Sequence, residues 1–172
     1  MKYIKFNFYS IILVLSMIIL SGCNSELLTS ASNNEDEIIE YDLSNYPIAV
    51  RNGDVSPEYY DGVMGIVNRF VDLLDYLRNN LQDYDGVKNA GNNYLAELTT
   101  YDLSPTTEVD YDLDEYLTKY IIRTKMSAEY YIKYATEKDK LYLDMANDYK
   151  NDALASGNTM VAIGNKYGLN EF

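Results

Sequence analysis

From Tyr60 onward, apolar residues recur at alternating spacings of three and four: Tyr60, Val63, Val67, Phe70, Leu74, Leu77 and Leu81. That spacing lays all seven along one side of an α-helix, and Ile66, Val71 and Leu73 widen the stripe. Asp61, Asn68, Arg69, Asp72, Asp75 and Arg78 fall between them. Ser56-Pro57-Glu58 supplies the start: a capping serine, a proline preset for the first helical position and an acid at the positive helix end. The predicted stop is Asp83-Tyr84-Asp85-Gly86, with Gly86 as the C-cap.

The same period continues through three further segments. Val87, Gly91, Tyr94, Leu98 and Tyr101 mark a second helix, weakened by Gly91 and Asn92-Asn93 and ended by Leu103-Ser104-Pro105-Thr106-Thr107. A third opens at Asp112, with Glu115 placed to complete a capping box. Its apolar face is Leu113, Tyr116 or Leu117, Tyr120, Thr124, Ala128, Tyr131 and Ala135. Thr136-Glu137-Lys138-Asp139 reads as a tight connection into a fourth helix carrying Tyr142, Met145, Tyr149, Ala153, Ser156, Met160, Ile163 and Tyr167, which stops near Gly168. Gly62, Gly65, Gly157 and Gly164 allow close helix crossings, with helix breaking as the competing role of Gly157. No stretch alternates long enough for a strand, although Ile48-Ala49-Val50 suits a short extended piece. The expected fold is all-α, a three- or four-helix up-and-down bundle over residues 55–172.

The first two dozen residues differ from the rest. Lys2 and Lys5 are the only charges before Glu26, and an apolar run from Phe6 to Leu20 follows them. Two basic residues, a run shorter than the ~20 apolar residues of a membrane span, and a small-residue boundary together read as a secretory signal. The boundary, Leu20-Ser21-Gly22-Cys23, resembles the lipobox of bacterial lipoproteins, Leu-Ser/Ala-Gly/Ala-Cys. The resemblance implies recognition of Leu20, Ser21 and Gly22 by a dedicated signal peptidase and removal of residues 1–22. It also implies a diacylglyceryl group on the Cys23 sulfur, palmitate being a typical acyl chain. A thiolate is nucleophilic enough to form that stable thioether. Two acyl chains hold a protein to a bilayer where one holds it only marginally. The competing reading, a buried or free thiol, fits less well at this position, and a lone cysteine excludes an internal disulfide. Residues 23–54, rich in Ser and Asn and then acidic, are predicted to be a mostly flexible tether with a short ordered piece around Ile38–Val50. The expected location is extracytoplasmic, lipid-anchored to the cell membrane.

Charge and composition narrow the function. The chain has 14 basic and 27 acidic residues, a formal charge of −13; cleavage before Cys23 removes Lys2 and Lys5 and no acid, giving −15. Such a surface disfavours nucleic acid and anionic head groups, and the plainest reading is that it keeps an exported domain soluble. Histidine is absent and the one cysteine is assigned to lipid, so Ser-His-Asp and Cys-His nucleophiles and the usual zinc sites are not expected. Glycine-rich phosphate loops are missing too. Asp110-Tyr111-Asp112-Leu113-Asp114 begins like a calcium loop, yet Glu115 and Ile121 occupy the sixth and twelfth positions, where glycine and glutamate are required. No cofactor, metal or catalytic residue is therefore assigned.

Tyrosine is unusually frequent, 19 against 4 Phe and no Trp. Tyr116 and Tyr120, then Tyr130 and Tyr134, are one helical turn apart, and the adjacent Tyr130 and Tyr131 must face different ways. Tyr116, Tyr120, Tyr130 and Tyr134 are the candidate partner-binding surface; the alternative is that tyrosine simply builds the core. Composition and layout resemble the small helical lipoproteins of low-GC Gram-positive bacteria. The expected function is non-catalytic binding of a protein or cell-wall partner at the membrane. A phage- or mobile-element-type exclusion lipoprotein and a carboxylate-dependent envelope hydrolase are the alternatives.

Overall fold

The computed structural model describes residues 41–98 and 103–169. Five helices follow a 3₁₀ turn at Leu43–Asn45: α1 (Ile48–Arg51), α2 (Pro57–Asn80), α3 (Tyr84–Leu98), α4 (Glu108–Glu137) and α5 (Lys140–Tyr167). The described residues contain no strand. The fold is an all-α helical bundle, as the apolar periodicity predicts.

Neighbouring side chains give the direction of each helix. Phe70 meets Tyr94 and Arg69 pairs with Glu97, while Tyr76 lies against the turn at Asp83, so α2 and α3 are antiparallel. Tyr84 lies against Tyr134 and Gly91 against Ala128 and Ile132, which makes α3 and α4 antiparallel. Asp112 faces Tyr167, Tyr120 faces Gly157 and Ser127 faces Ala146, so α4 and α5 form an antiparallel hairpin. Consequently α2 and α4 run parallel. The long hairpin packs closely because small residues line its seam: Ser127 on α4, and Ala146, Ala153 and Gly157 on α5. The Ser127 hydroxyl donates to the Ala146 carbonyl at 2.9 Å inside that seam.

Phe70 sits at the centre, fully buried, tilted against Tyr94 of α3 and edge-on to Tyr120 of α4. The same core holds Ile66, Leu73, Leu77, Val87, Leu113 and Leu117. On α2 the most deeply buried line is Tyr59, Ile66, Phe70, Leu73 and Leu77. Tyr60, Val63, Leu74 and Leu81 of the predicted seam are only half covered. Their shielding is incomplete because α5 packs on α4 and scarcely approaches α2.

Several boundaries differ from those read in the sequence, each for a local reason. Ile48–Val50 is a helical turn and not an extended piece: the Pro47 carbonyl accepts the Val50 and Arg51 N–H groups, and Ala49, Val50 and Val55 are buried in the main core. Within the segment assigned to the tether, with its short ordered piece predicted around Ile38–Val50, Leu43, Tyr46, Ala49 and Val50 thus pack on the bundle, while Arg51–Asp54 are exposed. Tyr46 Oη donates to Asp61 at 2.6 Å. α2 ends at Asn80, and Gly86 lies within α3, its N–H held by the Asp83 carboxylate at 3.1 Å. A capping aspartate overrides the helix-ending tendency of the glycine. α3 is therefore separate from α2. α4 opens at Glu108 rather than Asp112, because Thr107 and Asp110 form the capping box one turn earlier. The α4–α5 connection shrinks to Lys138, in the left-handed region at φ 57°, and Asp139, which caps α5. α5 stops at Gly168 as predicted, with φ 79° and the Leu169 N–H reaching the Gly164 carbonyl. Gly157 does not break α5; it lies against the Tyr120 ring. Tyr101, predicted on the second helix, lies outside the described residues.

Asp110 is wholly buried and ties this arrangement together. Its carboxylate accepts from the N–H groups of Thr106 and Thr107, both at 3.1 Å, from the Thr106 hydroxyl, and from the Ser56 N–H at the start of α2. Asp110→Ala is expected to cost about 2–4 kcal/mol and Thr107→Ala about 1 kcal/mol, measured by urea unfolding followed by circular dichroism. Equal, small losses for the two would show that Asp110 acts only as a cap.

Candidate functional site

The four tyrosines named from the sequence do not form one surface. Tyr120 is 3% exposed, packed against Phe70 and Gly157, and burial drives its pKa far above the ordinary tyrosine value. Tyr134 is 7% exposed and edge-on to Tyr84, its pKa raised first by loss of solvent and then by the neighbouring phenol. Both are core residues, which removes them from the candidate surface. Tyr116 and Tyr130 are half-buried but four turns apart on α4, a rise of about 21 Å. Tyr131, next to Tyr130, points into the core as their adjacency requires. Leu20, Ser21, Gly22 and Cys23, which resemble a lipobox, lie outside the described residues.

Tyr130 belongs to a stacked row across the outer seam of the hairpin. Its ring lies 5.5 Å from Tyr149 at 5° and 6.2 Å from Tyr142 at 21°. Lys133 covers Tyr130 at 4.8 Å, and Arg123 covers Tyr149 at 5.7 Å while reaching Asp152 at 3.8 Å. The faces of these rings are already used by each other and by cations, so the row is chiefly a clasp between α4 and α5.

The half-covered edge of α2 makes a more open feature. Leu74, Leu77, Arg78 and Leu81 of α2, Tyr131 of α4, and Leu143, Asn147 and Lys150 of α5 line a groove of about 410 Å³. It exists because α2 and α5 diverge on either side of α4. The Leu143, Asn147 and Lys150 positions follow helical spacing on the side of α5 that also carries the buried Ala146 and Ala153. At the floor, Asn147 Oδ1 accepts from Tyr131 Oη at 3.0 Å and from Lys150 Nζ at 2.6 Å. Asn147 is itself held through Nδ2 to the Leu143 carbonyl. Burial pulls the Lys150 pKa below the usual lysine value and pushes that of Tyr131 up to about 12. Arg78, at the rim, pairs with Asp75 at 3.3 Å. No carboxylate is among the lining residues.

Sequence reading put Leu74, Leu77 and Leu81 on an apolar stripe but missed Asn147 and Lys150. The available signal was a lysine at a spacing otherwise filled by alanines. The acidic run at the start of α4 is used internally: besides Asp110, Asp112 accepts from Tyr167 Oη and Asp114 from Tyr59 Oη. Among the described residues, no group of three or more His, Cys, Asp or Glu is arranged to hold a metal, and no helix is long and apolar enough to cross a membrane. Comparisons with models of protein families, with curated proteins and with solved structures each find no match.

The buried phenols predict an alkaline limit. Burial raises the pKa of Tyr60 and Tyr131 to about 12, whereas an unfolded tyrosine ionises near ~10. Between those values the unfolded chain releases protons that the folded chain retains, so stability falls as pH rises through this window. Urea midpoints are expected to be flat near neutrality and to decline above pH ~10, with these phenols ionising only as the fold is lost. Full phenolate absorbance with helicity intact would contradict this.

Proposed function

We propose that the chain is a membrane-anchored cell-surface lipoprotein whose helical domain binds another component without catalysis. The observation that carries this reading is Leu20-Ser21-Gly22-Cys23 at the end of the apolar run behind Lys2 and Lys5. Lipid on Cys23 confines the domain to a surface and raises its local concentration there.

The fold supports the reading through the position of the groove. The described chain begins at Tyr41 beside Tyr46, which bonds to Asp61 near the start of α2. The groove lies toward the other end of α2, about 25 Å along the helix between Tyr60 and Leu77. The described chain therefore starts at one pole of the bundle, and the groove lies toward the opposite pole. Residues 24–40 separate Cys23 from Tyr41, a contour of at most ~60 Å. A ligand reaching the groove is thus met away from the point of attachment.

Metabolic labelling with an alkyne palmitate in a bacterium that processes lipoproteins tests the anchor. The wild-type chain is expected to carry label and to begin at Cys23, and Cys23→Ala to carry none. Label retained in that variant, or a mature N-terminus elsewhere, would refute the assignment.

A further inference from the structure

We propose that the groove between α2 and α5 binds a single-chain anionic amphiphile, with its acyl chain along Leu74, Leu77, Leu81 and Leu143 and its acidic head at Lys150 and Arg78. This inference rests on the reading of the chain as a surface binding protein and names the ligand class.

Charge is the first support. The chain carries almost twice as many acids as bases, yet this groove is lined by two cations and no carboxylate. A concavity lined by cations on an otherwise acidic chain focuses anions there. Lys150 is half-buried, and its bond within the groove is to the neutral amide oxygen of Asn147. An ammonium has three donors, and Asn147 takes one. A half-buried cation held by a neutral amide is favourable ground for an incoming anion, whose charge offsets the desolvation already incurred.

Shape is the second. About 410 Å³ lies within the range of small-molecule pockets, roughly 300–1,000 Å³. Four leucines, Leu74, Leu77, Leu81 and Leu143, give the groove an apolar lining suited to an acyl chain. Leu74, Leu77 and Leu81 continue one ridge of α2 for two turns, which gives the apolar part a track. The head-group end is ordered in advance: Tyr131 Oη, Asn147 Oδ1 and Lys150 Nζ form one connected set, itself fixed by the Leu143 carbonyl. Arg78, paired with Asp75 at the rim, adds guanidinium donors rather than net charge.

The test uses the full chain reconstituted in phosphatidylcholine vesicles, with palmitate carrying a diazirine in its acyl chain as the probe and mass spectrometry of the cross-linked peptides as the readout. Label is expected on the Leu74–Leu81 and Leu143–Lys150 peptides. Unlabelled palmitate and dodecyl phosphate are both expected to compete, since either head is an anion, and the uncharged hexadecanol is not. Lys150→Met is expected to weaken labelling roughly ten-fold or more, the loss of one charge-assisted hydrogen bond. Arg78→Gln, at the exposed rim, is expected to weaken it by a smaller factor and gives an independent check should Lys150→Met fail to fold. Label scattered over the bundle, equal competition by hexadecanol, or labelling unchanged in a folded Lys150→Met chain would overturn the proposal. Any of these results with palmitate still attached to Cys23 rejects the ligand and leaves the anchored-lipoprotein reading standing.

Discussion

A single buried carboxylate, that of Asp110, allows two parallel helices to begin side by side. The N-termini of α2 and α4 each concentrate positive partial charge and unsatisfied N–H groups, and placing them together is unfavourable without an anion between them. Asp110 supplies the charge and accepts from both starts, Ser56 on one side and Thr106 and Thr107 on the other. Tyr59, the next buried residue of α2, repeats the link one turn further on by donating to Asp114. With α2 and α4 held parallel, α3 must return between them. α5 is then left to pack on the opposite side of α4, where the alanine and serine seam accepts it. The open edge between α2 and α5 follows from that order of packing.

The tyrosines and the acids explain one another. With 27 carboxylates and 14 cationic side chains, ion pairs cannot serve every acid. Phenol donors take part of that role: Tyr46 to Asp61, Tyr59 to Asp114, Tyr76 to Asp83 and Tyr167 to Asp112. Each places an apolar ring against the bundle and its hydroxyl on a carboxylate. Two of these pairs join separate helices, and Tyr46 fastens the N-terminal segment. The ion pairs, by contrast, lie at exposed positions and contribute little individually.

Helical periodicity made the bundle legible because it depends only on local spacing. Of the α4 face read from the sequence, Leu113, Tyr120, Thr124, Ala128, Tyr131 and Ala135 are buried. Of the two alternatives Tyr116 and Leu117, it is Leu117 that faces the core, while Tyr116 is half-buried. Caps were harder, since Asp112 with Glu115 and Thr107 with Asp110 offer the same local pattern. The choice between them is made by Ser56, 54 residues upstream of Asp110, which no local pattern reveals. The tyrosine surface misled for a related reason: pairs one turn apart look alike whether they face solvent or core. Tyr120 faces Phe70 and Tyr130 faces Tyr149. The groove was hidden for lack of any sequence signal that α5 would leave half of the α2 stripe uncovered. Lys150 at an alanine spacing was the one clue.

The bundle and its open groove thus depend on the junction at Asp110, which holds the starts of α2 and α4 together. Residue-resolved amide exchange at Ser56, Thr106 and Thr107 tests that junction most directly. All three amides donate to one buried carboxylate, so they should exchange slowly together in the wild-type chain and become fast together in Asp110→Ala, with the α5 amides far less affected. Fast exchange of Ser56 in the wild-type chain, or protection of Ser56 unchanged by Asp110→Ala, would contradict the coupling of α2 to α4.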